Sequence, residues 1–175
     1  MQNKIFYSLF SFPLGKIAVF TSHKALIHIQ FIIQEKQLDT DYYIKRNFPT
    51  HELIENDTEL LERAKIQLEA YMERKRRYFD LPLLTYGTPF QTKVWDTLQN
   101  IPYGSVKRYG DIAKEIGNEK SYRAVGLACK QNPLPIIIPC HRVIATQGHY
   151  GGYRGGIAIK KWLLETEGHP SFLRT

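Results

Sequence analysis

Residues 136–144 have the sequence Ile-Ile-Ile-Pro-Cys-His-Arg-Val-Ile, in which an apolar run is followed by a thiol and an imidazole. The apolar run Ile136-Ile137-Ile138 predicts a short buried strand that ends before Pro139. Cys140 and His141 follow, which brings a thiol beside an imidazole. Only the thiolate is a strong nucleophile, and a free thiol with a pKa of about 8.5 holds little of it at neutral pH. The pair is suited to nucleophilic chemistry, although two cysteines and six histidines can also produce a Cys-His dipeptide by chance.

Positive charge is concentrated in the half of the chain that contains Cys140. The formal net charge is +7; residues 86–175 hold 12 Lys and Arg against 6 Asp and Glu, whereas residues 1–85 hold 12 against 11. This asymmetry indicates an anionic partner such as nucleic acid. A solvated basic face without a partner is the alternative.

The composition excludes several classes of protein. With 175 residues, 43% of them hydrophobic, the chain can bury one core or two small ones. Its apolar runs are too short for a membrane span, and its first ten residues lack a signal-peptide core. We therefore expect a cytoplasmic protein with reduced cysteines (nucleoid-associated in a bacterium, nuclear in a eukaryote) and no membrane partner. No cysteine or histidine cluster has metal-ligand spacing, so we expect no metal site and no cofactor.

The N-terminal third has the pattern of β structure. Three β-branched and aromatic runs are separated by turn residues at Pro13-Leu14-Gly15 and Ser22-His23-Lys24. They predict a three-stranded antiparallel meander with strands at Lys4 to Phe10, Lys16 to Thr21 and Ala25 to Ile33.

A long amphipathic helix is predicted from Asp57 to Arg76. Apolar residues recur there at helical spacing, and Asp57 or Thr58 can cap the first turn. The basic run from Arg74 to Arg77 suits the negative end of the helix dipole. A role of that run in nucleic-acid binding is the less favoured reading.

Helical periodicity dominates beyond a linker at Leu81 to Pro89. Thr88-Pro89 is a typical helix start, and the apolar stripe of that helix is formed by Phe90, Val94, Trp95 and Leu98. Two short helices follow, from Tyr109 to Ile116, closed by Gly117, and from Ser121 to Lys130. Together they predict a helix-turn-helix. The fold class is therefore α/β in the α+β sense: a small antiparallel-sheet lobe and a mainly helical C-terminal lobe.

A series of short segments in the C-terminal half forms a family pattern: Thr88-Pro89-Phe90-Gln91, Val94-Trp95, Ile101-Pro102-Tyr103-Gly104, Tyr109-Gly110-Asp111-Ile112-Ala113, Arg123-Ala124-Val125-Gly126, Asn132-Pro133, residues 138–144, Gly152-Tyr153 and residues 161–168. In their order and spacing these segments resemble the O6-alkylguanine-DNA alkyltransferases, the methylated-DNA–protein-cysteine methyltransferases. The resemblance implies a ribonuclease H-like lobe at residues 1–84 and a winged-helix-like alkyltransferase domain at residues 85–175, in a stand-alone form without a metal-binding regulatory module.

The resemblance implies a stoichiometric transfer of an alkyl group from O6 of guanine, and from O4 of thymine, to a cysteine sulfur. Cys140 matches the acceptor, and His141 matches the base that draws its proton through a water. Glu167 matches the carboxylate that orients the imidazole, as in a protease triad lengthened by water. Asn132 matches the residue that braces the active-site turn, although an ordinary Asn-Pro turn fits equally well.

The family also implies that the protein binds double-stranded DNA as a monomer and turns the alkylated base out of the stack. Arg123 matches the arginine that fills the vacated place in the duplex. Tyr109 matches a phenol that contacts the rotated phosphate and can protonate the departing guanine. Ala124 and Gly126 allow the recognition helix to lie close to the minor groove, and Lys130 contacts phosphate.

Five residues match positions at the pocket for the flipped base. Tyr153 and Val143 form its walls, and Pro135 and Cys129 lie near it; Cys129 is otherwise a small buried hydrophobe. Arg154 departs from the family's usual small residue, so it can bind phosphate or restrict bulky alkyl groups. Arg108 also departs from the usual Ser or Thr, so another residue must cap the helix that begins at Tyr109.

Three other functions remain open on sequence grounds. A non-catalytic alkyltransferase-like protein would bind damaged DNA without transfer, but such relatives lack the acceptor cysteine. A cysteine hydrolase would use Cys140 and His141 directly, yet neighbouring side chains of an extended segment point apart. A helix-turn-helix regulator without chemistry would leave Cys140 and Glu167 without a role.

Overall fold

The computed structural model describes residues 3–32 and 42–169 of the chain. They divide into two compact units, and the boundary along the chain falls between Tyr86 and Gly87; the sequence predicted this boundary after residue 84. No helix within the described ranges is long and apolar enough to cross a membrane. The predicted α+β class is confirmed: a sheet dominates the first unit and helices dominate the second.

An antiparallel meander forms the centre of the N-terminal unit. Its strands are β1 (Lys4–Phe12), β2 (Gly15–Thr21) and β3 (Leu26–Ile32), as the sequence predicted to within a few residues. Ile33, the predicted end of the third strand, lies outside the described residues. The core against this sheet includes Ile5, Ala18, Phe20, Ile27, Tyr43, Ile44 and Phe48.

The sheet has a fourth strand that the sequence did not reveal. Strand β4 (Glu52–Glu55) pairs with β1 in parallel, so the sheet adds one parallel strand to the predicted antiparallel meander. A short helix, α1 (Tyr42–Asn47), precedes it. The four residues Glu-Leu-Ile-Glu are too few to show a period, and a parallel partner is set by the crossover and not by a local hairpin.

Helix α2 (Glu59–Met72) begins where the sequence predicted and ends earlier. Thr58 is the N-cap, and its hydroxyl accepts a hydrogen bond from the Leu61 backbone N–H at 3.3 Å. The chain leaves the helix at Arg74, which has a φ of +62°. The predicted extension to Arg76 was therefore wrong. The basic run follows the last turn, and the backbone N–H groups of Arg74 and Lys75 donate to the carbonyls of Tyr71 and Ala70.

The predicted linker also begins later than expected. The backbone N–H of Leu26 donates to the Pro82 carbonyl at 2.8 Å, and the Leu84 N–H donates to the Leu26 carbonyl at 2.8 Å. Residues 82–84 are therefore hydrogen bonded to the edge of the N-terminal sheet.

Four helices build the C-terminal unit: α3 (Pro89–Gln99), α4 (Tyr109–Glu115), α5 (Tyr122–Lys130) and α6 (Ile157–Thr166). Thr88 and Gln91 form a capping box at the start of α3. The Trp95 indole N–H donates to the Ala128 carbonyl at 2.9 Å, which joins α3 to α5. Gly117, at φ +76°, turns the chain between α4 and α5, so the predicted helix-turn-helix is confirmed.

The apolar run before Cys140 is a buried turn, not a strand. Ile136 has a φ of +76°, and the Ile138 N–H donates to the Leu134 carbonyl at 2.8 Å. Cys140–Arg142 then forms one turn of 3₁₀ helix, followed by strand β6 (Val143–Ile144), which pairs in parallel with β5 (Lys107–Arg108). The run is apolar because it is buried, and burial alone does not specify an extended conformation.

Candidate active site

The Cys140 sulfur lies in a buried turn that Asn132 holds. The amide nitrogen of Asn132 donates to the Cys140 sulfur at 3.1 Å and to the Ile138 carbonyl at 2.8 Å. Its amide oxygen accepts the Leu134 N–H at 3.0 Å. Asn132 thus contacts both arms of the turn and the Cys140 sulfur. It braces the turn and also bonds the backbone just after its own Asn-Pro pair, so the two interpretations that the sequence left open are compatible.

Burial disfavours the anionic form of Cys140. The residue is only 4% exposed, and this burial raises the pKa of its thiol. The hydrogen bond from Asn132 and the positive charges of Lys160 and Arg154 act in the opposite direction. A thiolate here depends on its polar neighbours, because water cannot stabilise it.

His141 lies fully buried against Glu167. Its Nε2 is 2.8 Å from a Glu167 carboxylate oxygen. Burial opposes the ionised form of Glu167, but the hydrogen bonds and charges of His141 and Arg142 outweigh it and lower the pKa of the carboxyl group. Because an ionised carboxylate only accepts, Nε2 must carry the proton and Nδ1 the lone pair. Burial lowers the pKa of His141, so the imidazole is neutral at pH 7 and can act as a base.

Glu167 is the meeting point of three segments. Arg142 donates to both of its carboxylate oxygens, from Nε at 2.9 Å and from Nη2 at 2.8 Å. The Gly104 backbone N–H adds a bond at 3.0 Å. Arg142 also donates to the Ile101 carbonyl at 2.6 Å, which ties the loop after α3 to the active-site turn.

The surface of α5 presents the residues predicted to contact DNA. Arg123, Ala124 and Lys130 are exposed, as are the apolar side chains of Tyr122 and Leu127. Gly126 faces α4, where a Cβ would lie 3.8 Å from the Tyr109 ring, so its lack of a side chain does not relieve a clash there. An exposed helix with mixed basic and apolar side chains is suited to a DNA groove.

Tyr109 begins α4 and reaches the loop before α6. Its hydroxyl lies 3.4 Å from the Gly152 carbonyl, and a Cβ on Gly151 would come within 2.9 Å of that hydroxyl. Burial raises the pKa of Tyr109, so the phenol stays protonated. Arg108 makes no side-chain cap, but the carboxylate of Asp111 accepts the Arg108 backbone N–H at 2.8 Å, which is the reciprocal half of a capping box.

The predicted pocket residues lie in the same unit with different exposure. Tyr153, Val143, Pro135 and Cys129 are buried, and Arg154 is exposed. Burial raises the pKa of Cys129, and the electrostatic effect of Cys140 raises it further. A place for Cys129 near a base pocket stays a prediction.

Two site residues were not assigned a role from the sequence. Arg142 pairs with Glu167, and Lys160 lies buried with its ammonium group bonded to the carbonyls of Val143 and Tyr150. A signal for Lys160 was present: it lies three and four residues before Leu163 and Leu164, on the buried face of α6. Within residues 3–32 and 42–169, no group of three or more His, Cys, Asp or Glu side chains could hold a metal ion.

Two domain models of one protein family match nearly the whole chain. Residues 89–169 match the family model of the 6-O-methylguanine DNA methyltransferase DNA binding domain, and residues 5–85 match that of its ribonuclease-like domain. The chain is 40% identical to a methylated-DNA–protein-cysteine methyltransferase of Methanosarcina acetivorans, over 94% of this chain and 99% of the relative. It is 39% identical to the constitutive enzyme of Bacillus subtilis, over 93% and 94%.

A solved structure shows the same fold. Mycobacterium tuberculosis OGT, crystallised in complex with DNA, superposes with a TM-score of 0.77 at 36% identity, over 93% of this chain and 92% of the other. A DNA-binding unit with a buried Cys-His-Glu site defines a class of cysteine-dependent DNA-modifying proteins. This chain belongs to the methylated-DNA–protein-cysteine methyltransferase family.

Proposed function

We propose that this protein repairs DNA by moving the alkyl group from O6 of guanine in duplex DNA onto Cys140, once per molecule. The main support for this proposal is one buried site, in which Asn132 contacts the Cys140 sulfur and Glu167 holds a neutral His141. O4-alkylthymine is a second substrate of the same chemistry. The protein acts as a monomer, in the cytoplasm.

In the transfer step the residues of the site act one after another. The Cys140 proton passes to Nδ1 of His141 through a water, and Glu167 stabilises the resulting imidazolium. The sulfur forms a bond to the alkyl carbon, the bond from that carbon to O6 breaks, and its electron pair leaves with the guanine. The guanine takes up a proton from the phenol of Tyr109, and the imidazolium of His141 releases its proton to water, from which the phenol is protonated again.

Irreversibility follows from the product. A thioether on Cys140 has no ionisable proton and is a poor leaving group, so nothing in the site returns the sulfur to its original state. The alkyl group is also added to a turn that is already closely packed. Overpacking of this kind typically costs about 1–3 kcal/mol, so the alkylated protein should be less stable.

Intact mass spectrometry after incubation with duplex DNA containing O6-methylguanine tests the proposal. We expect one added methyl group per protein, mapped to the peptide of Cys140 and not to that of Cys129, and no addition to Cys140→Ser. The control is the same duplex with unmodified guanine. Continued turnover in excess substrate, or no addition to a folded protein, would contradict single transfer to Cys140.

A further inference from the structure

A basic segment follows helix α2 and takes no part in the site around Cys140. Residues 73–80 have the sequence Glu-Arg-Lys-Arg-Arg-Tyr-Phe-Asp, in which four consecutive cations stand between two carboxylates. Its exposed side chains include Arg74, Lys75, Arg77 and Tyr78. Residues 1–85 as a whole hold 12 Lys and Arg against 11 Asp and Glu, so the segment is a local concentration of positive charge on a nearly neutral unit.

The end of α2 does not explain why this segment is basic. The Lys75 ammonium group lies 2.6 Å from a Glu73 carboxylate oxygen, and Nε of Arg76 donates to the Tyr78 carbonyl at 2.6 Å. These two side chains therefore bond to groups that follow the helix. The carbonyl of Ala70, in the last turn, accepts the backbone N–H groups of Lys75 and Arg76 at 2.8 and 3.0 Å. Backbone donors of any residue type could make those bonds.

Arg74 has a backbone conformation that favours glycine. Its φ is +62°, and its N–H donates to the Tyr71 carbonyl at 2.9 Å. Helices α4 and α6 are followed by Gly117 and Gly168 in the same left-handed region. Strained non-glycine residues of this kind cluster at functional sites. An arginine in this position therefore indicates a use for its charge.

Helix α2 holds the segment in one arrangement. The buried amide of Gln67 accepts the Asp80 N–H at 2.8 Å and donates to the Asp80 carbonyl at 3.0 Å. The rings of Tyr71 and Phe79 are in contact, with their centres 5.4 Å apart. Arg63 of α2 also donates to the Asp80 carbonyl at 3.2 Å, which adds a fifth cation beside the segment. An ordered surface loses less conformational entropy on binding than a flexible one.

The side chains of the segment are suited to a phosphodiester backbone. The Arg76 guanidinium carbon lies 5.1 Å from the centre of the Tyr78 ring, and 72% of Tyr78 is exposed. Arginine, lysine and tyrosine are among the residues that hydrogen bond to DNA phosphates. Residues 89–169 match a DNA binding domain, and a covalent link to such a domain makes weak contacts of a second unit effective. Charge complementarity therefore favours duplex DNA as the partner.

We propose that residues 74–78 form a second DNA-contacting surface, which binds the phosphates of duplex DNA without regard to base sequence or alkylation. Each such contact releases a counter-ion, so the contribution of the surface falls as the salt concentration rises. The inference concerns unmodified DNA and the N-terminal unit. It does not depend on alkyl transfer to Cys140.

The first test compares two double variants that remove the same charge. Lys75→Ala/Arg77→Ala neutralises the segment in part, and Lys16→Ala/Lys24→Ala removes two exposed cations from elsewhere on the N-terminal unit. Fluorescence anisotropy measures the Kd for a labelled, unmodified duplex at several salt concentrations. For the segment variant we expect a roughly fivefold higher Kd and a slope of log K against log salt that is less steep by about 1 to 2. The control should stay within about twofold of the parent. Equal losses in the two variants, or an unchanged Kd and slope, would overturn the proposal.

The second test uses Arg74, where binding and stability should change in opposite directions. Arg74→Gly removes a cation and relieves the backbone, so it should unfold at a higher temperature and bind the duplex about two- to threefold more weakly. Arg74→Lys keeps the charge and should keep the affinity of the parent. Weaker binding by a more stable protein cannot result from a damaged fold. An Arg74→Gly protein that binds DNA as tightly as the parent would refute the part assigned to Arg74.

Benzyl transfer from free O6-benzylguanine, measured on the same proteins, separates this inference from the proposed function. We expect an unchanged rate in every variant, because a free base needs only the site at Cys140. If the parent transfers no benzyl group, the proposed function fails, and the anisotropy measurements still decide whether the segment binds DNA. Parallel losses of transfer and of binding in the segment variant would overturn the inference, because the substitutions would then act on the whole fold.

Discussion

At the scale of single residues, Glu167 determines most of the site. It receives hydrogen bonds from His141, from Arg142 and from the Gly104 backbone, and it fixes the tautomer of the imidazole. The Gly104 bond depends on a glycine, because residue 104 has a φ of +75° and a Cβ there would lie 3.0 Å from the Glu167 carbonyl oxygen. The carboxylate therefore holds His141 and joins three segments of the unit, and in the proposed function it also assists the chemistry of Cys140.

Glu167→Gln should lower both the stability of the fold and the rate of alkyl transfer. It leaves the buried Arg142 without a counter-ion, and breaking such a pair costs about 3–5 kcal/mol. Glu165→Gln is the matched control on the neighbouring turn, where the partner Lys161 is exposed and the expected loss is below about 1 kcal/mol. Urea unfolding and benzyl transfer measure the two effects. Equal losses in the two variants would contradict the assigned role.

The same variant predicts a pH dependence. The folded-state pKa of Glu167 is below the ordinary value of 4.5, so its contribution to stability is complete above about pH 4.5 and is lost as the pH falls further. The difference in free energy of unfolding between the parent and Glu167→Gln should therefore stay constant above about pH 4.5 and narrow as the pH falls below that value. A constant difference would show that ionisation of Glu167 does not stabilise the fold.

At the scale of elements, three helices end in the same way. After α4 and α6, Gly117 and Gly168 adopt a positive φ, and the next N–H reaches back to the carbonyl of the third-last residue of the helix. Helix α2 makes the same bonds with Arg74 in the glycine position. At α6 this ending places Glu167 at the C-cap, from which it faces His141. The same C-terminal backbone motif therefore positions a site residue in α6, whereas in α2 and α4 it only ends the helix.

Two reciprocal substitutions test this account. Arg74→Gly should stabilise the protein by about 1 kcal/mol, since a non-glycine residue in the left-handed region costs roughly that much. Gly117→Ala should destabilise it by a similar amount, and strain is its only cause because a Cβ there would contact nothing within 4 Å. Differential scanning calorimetry of the two proteins measures both. Shifts of the same sign would contradict the shared mechanism.

At the scale of the whole molecule, the predicted chemistry lies entirely in the C-terminal unit. Every predicted site residue falls between residues 109 and 167, within the unit that also holds most of the excess positive charge. The face of α5 is exposed, whereas Cys140 of the same unit is buried. A free alkylated base needs only the pocket at Cys140, whereas duplex DNA also needs the surface of α5. The two substrates can therefore separate the effects of a variant on DNA binding from its effects on the chemistry.

Arg123→Ala should slow methyl transfer from duplex DNA about tenfold or more and leave benzyl transfer from the free base within about twofold of the parent. Flipping a base costs a few kcal/mol, and an arginine that fills the vacated place offsets part of that cost. Lys93→Ala is the charge-matched control, since it removes one exposed cation from α3. Single-turnover kinetics on both substrates measure the effect; equal losses on the two would exclude this role of Arg123.

Local signals explain which features the sequence predicted well. Thr88-Pro89 and Gly117 bound helices because capping and left-handed backbone depend on residue type, and the meander follows from alternating runs between turns. Arg74 ends a helix without such a signal, so α2 was predicted too long. Strand β4 depends on a partner more than forty residues away in sequence, and four residues cannot reveal it.

The sequence by itself determined the family and the helix-turn-helix, because both depend on residue types within short segments of the chain. It named Cys140, His141 and Glu167 through the resemblance, but it could not show that Arg142 shares the Glu167 carboxylate. Only the tertiary structure decided that the run before Cys140 is a turn, and that Lys160 is buried with its ammonium group bonded to the Val143 and Tyr150 carbonyls. The physical reason is burial: an apolar run and a buried lysine acquire their conformation and their charge state from neighbours that are distant in sequence.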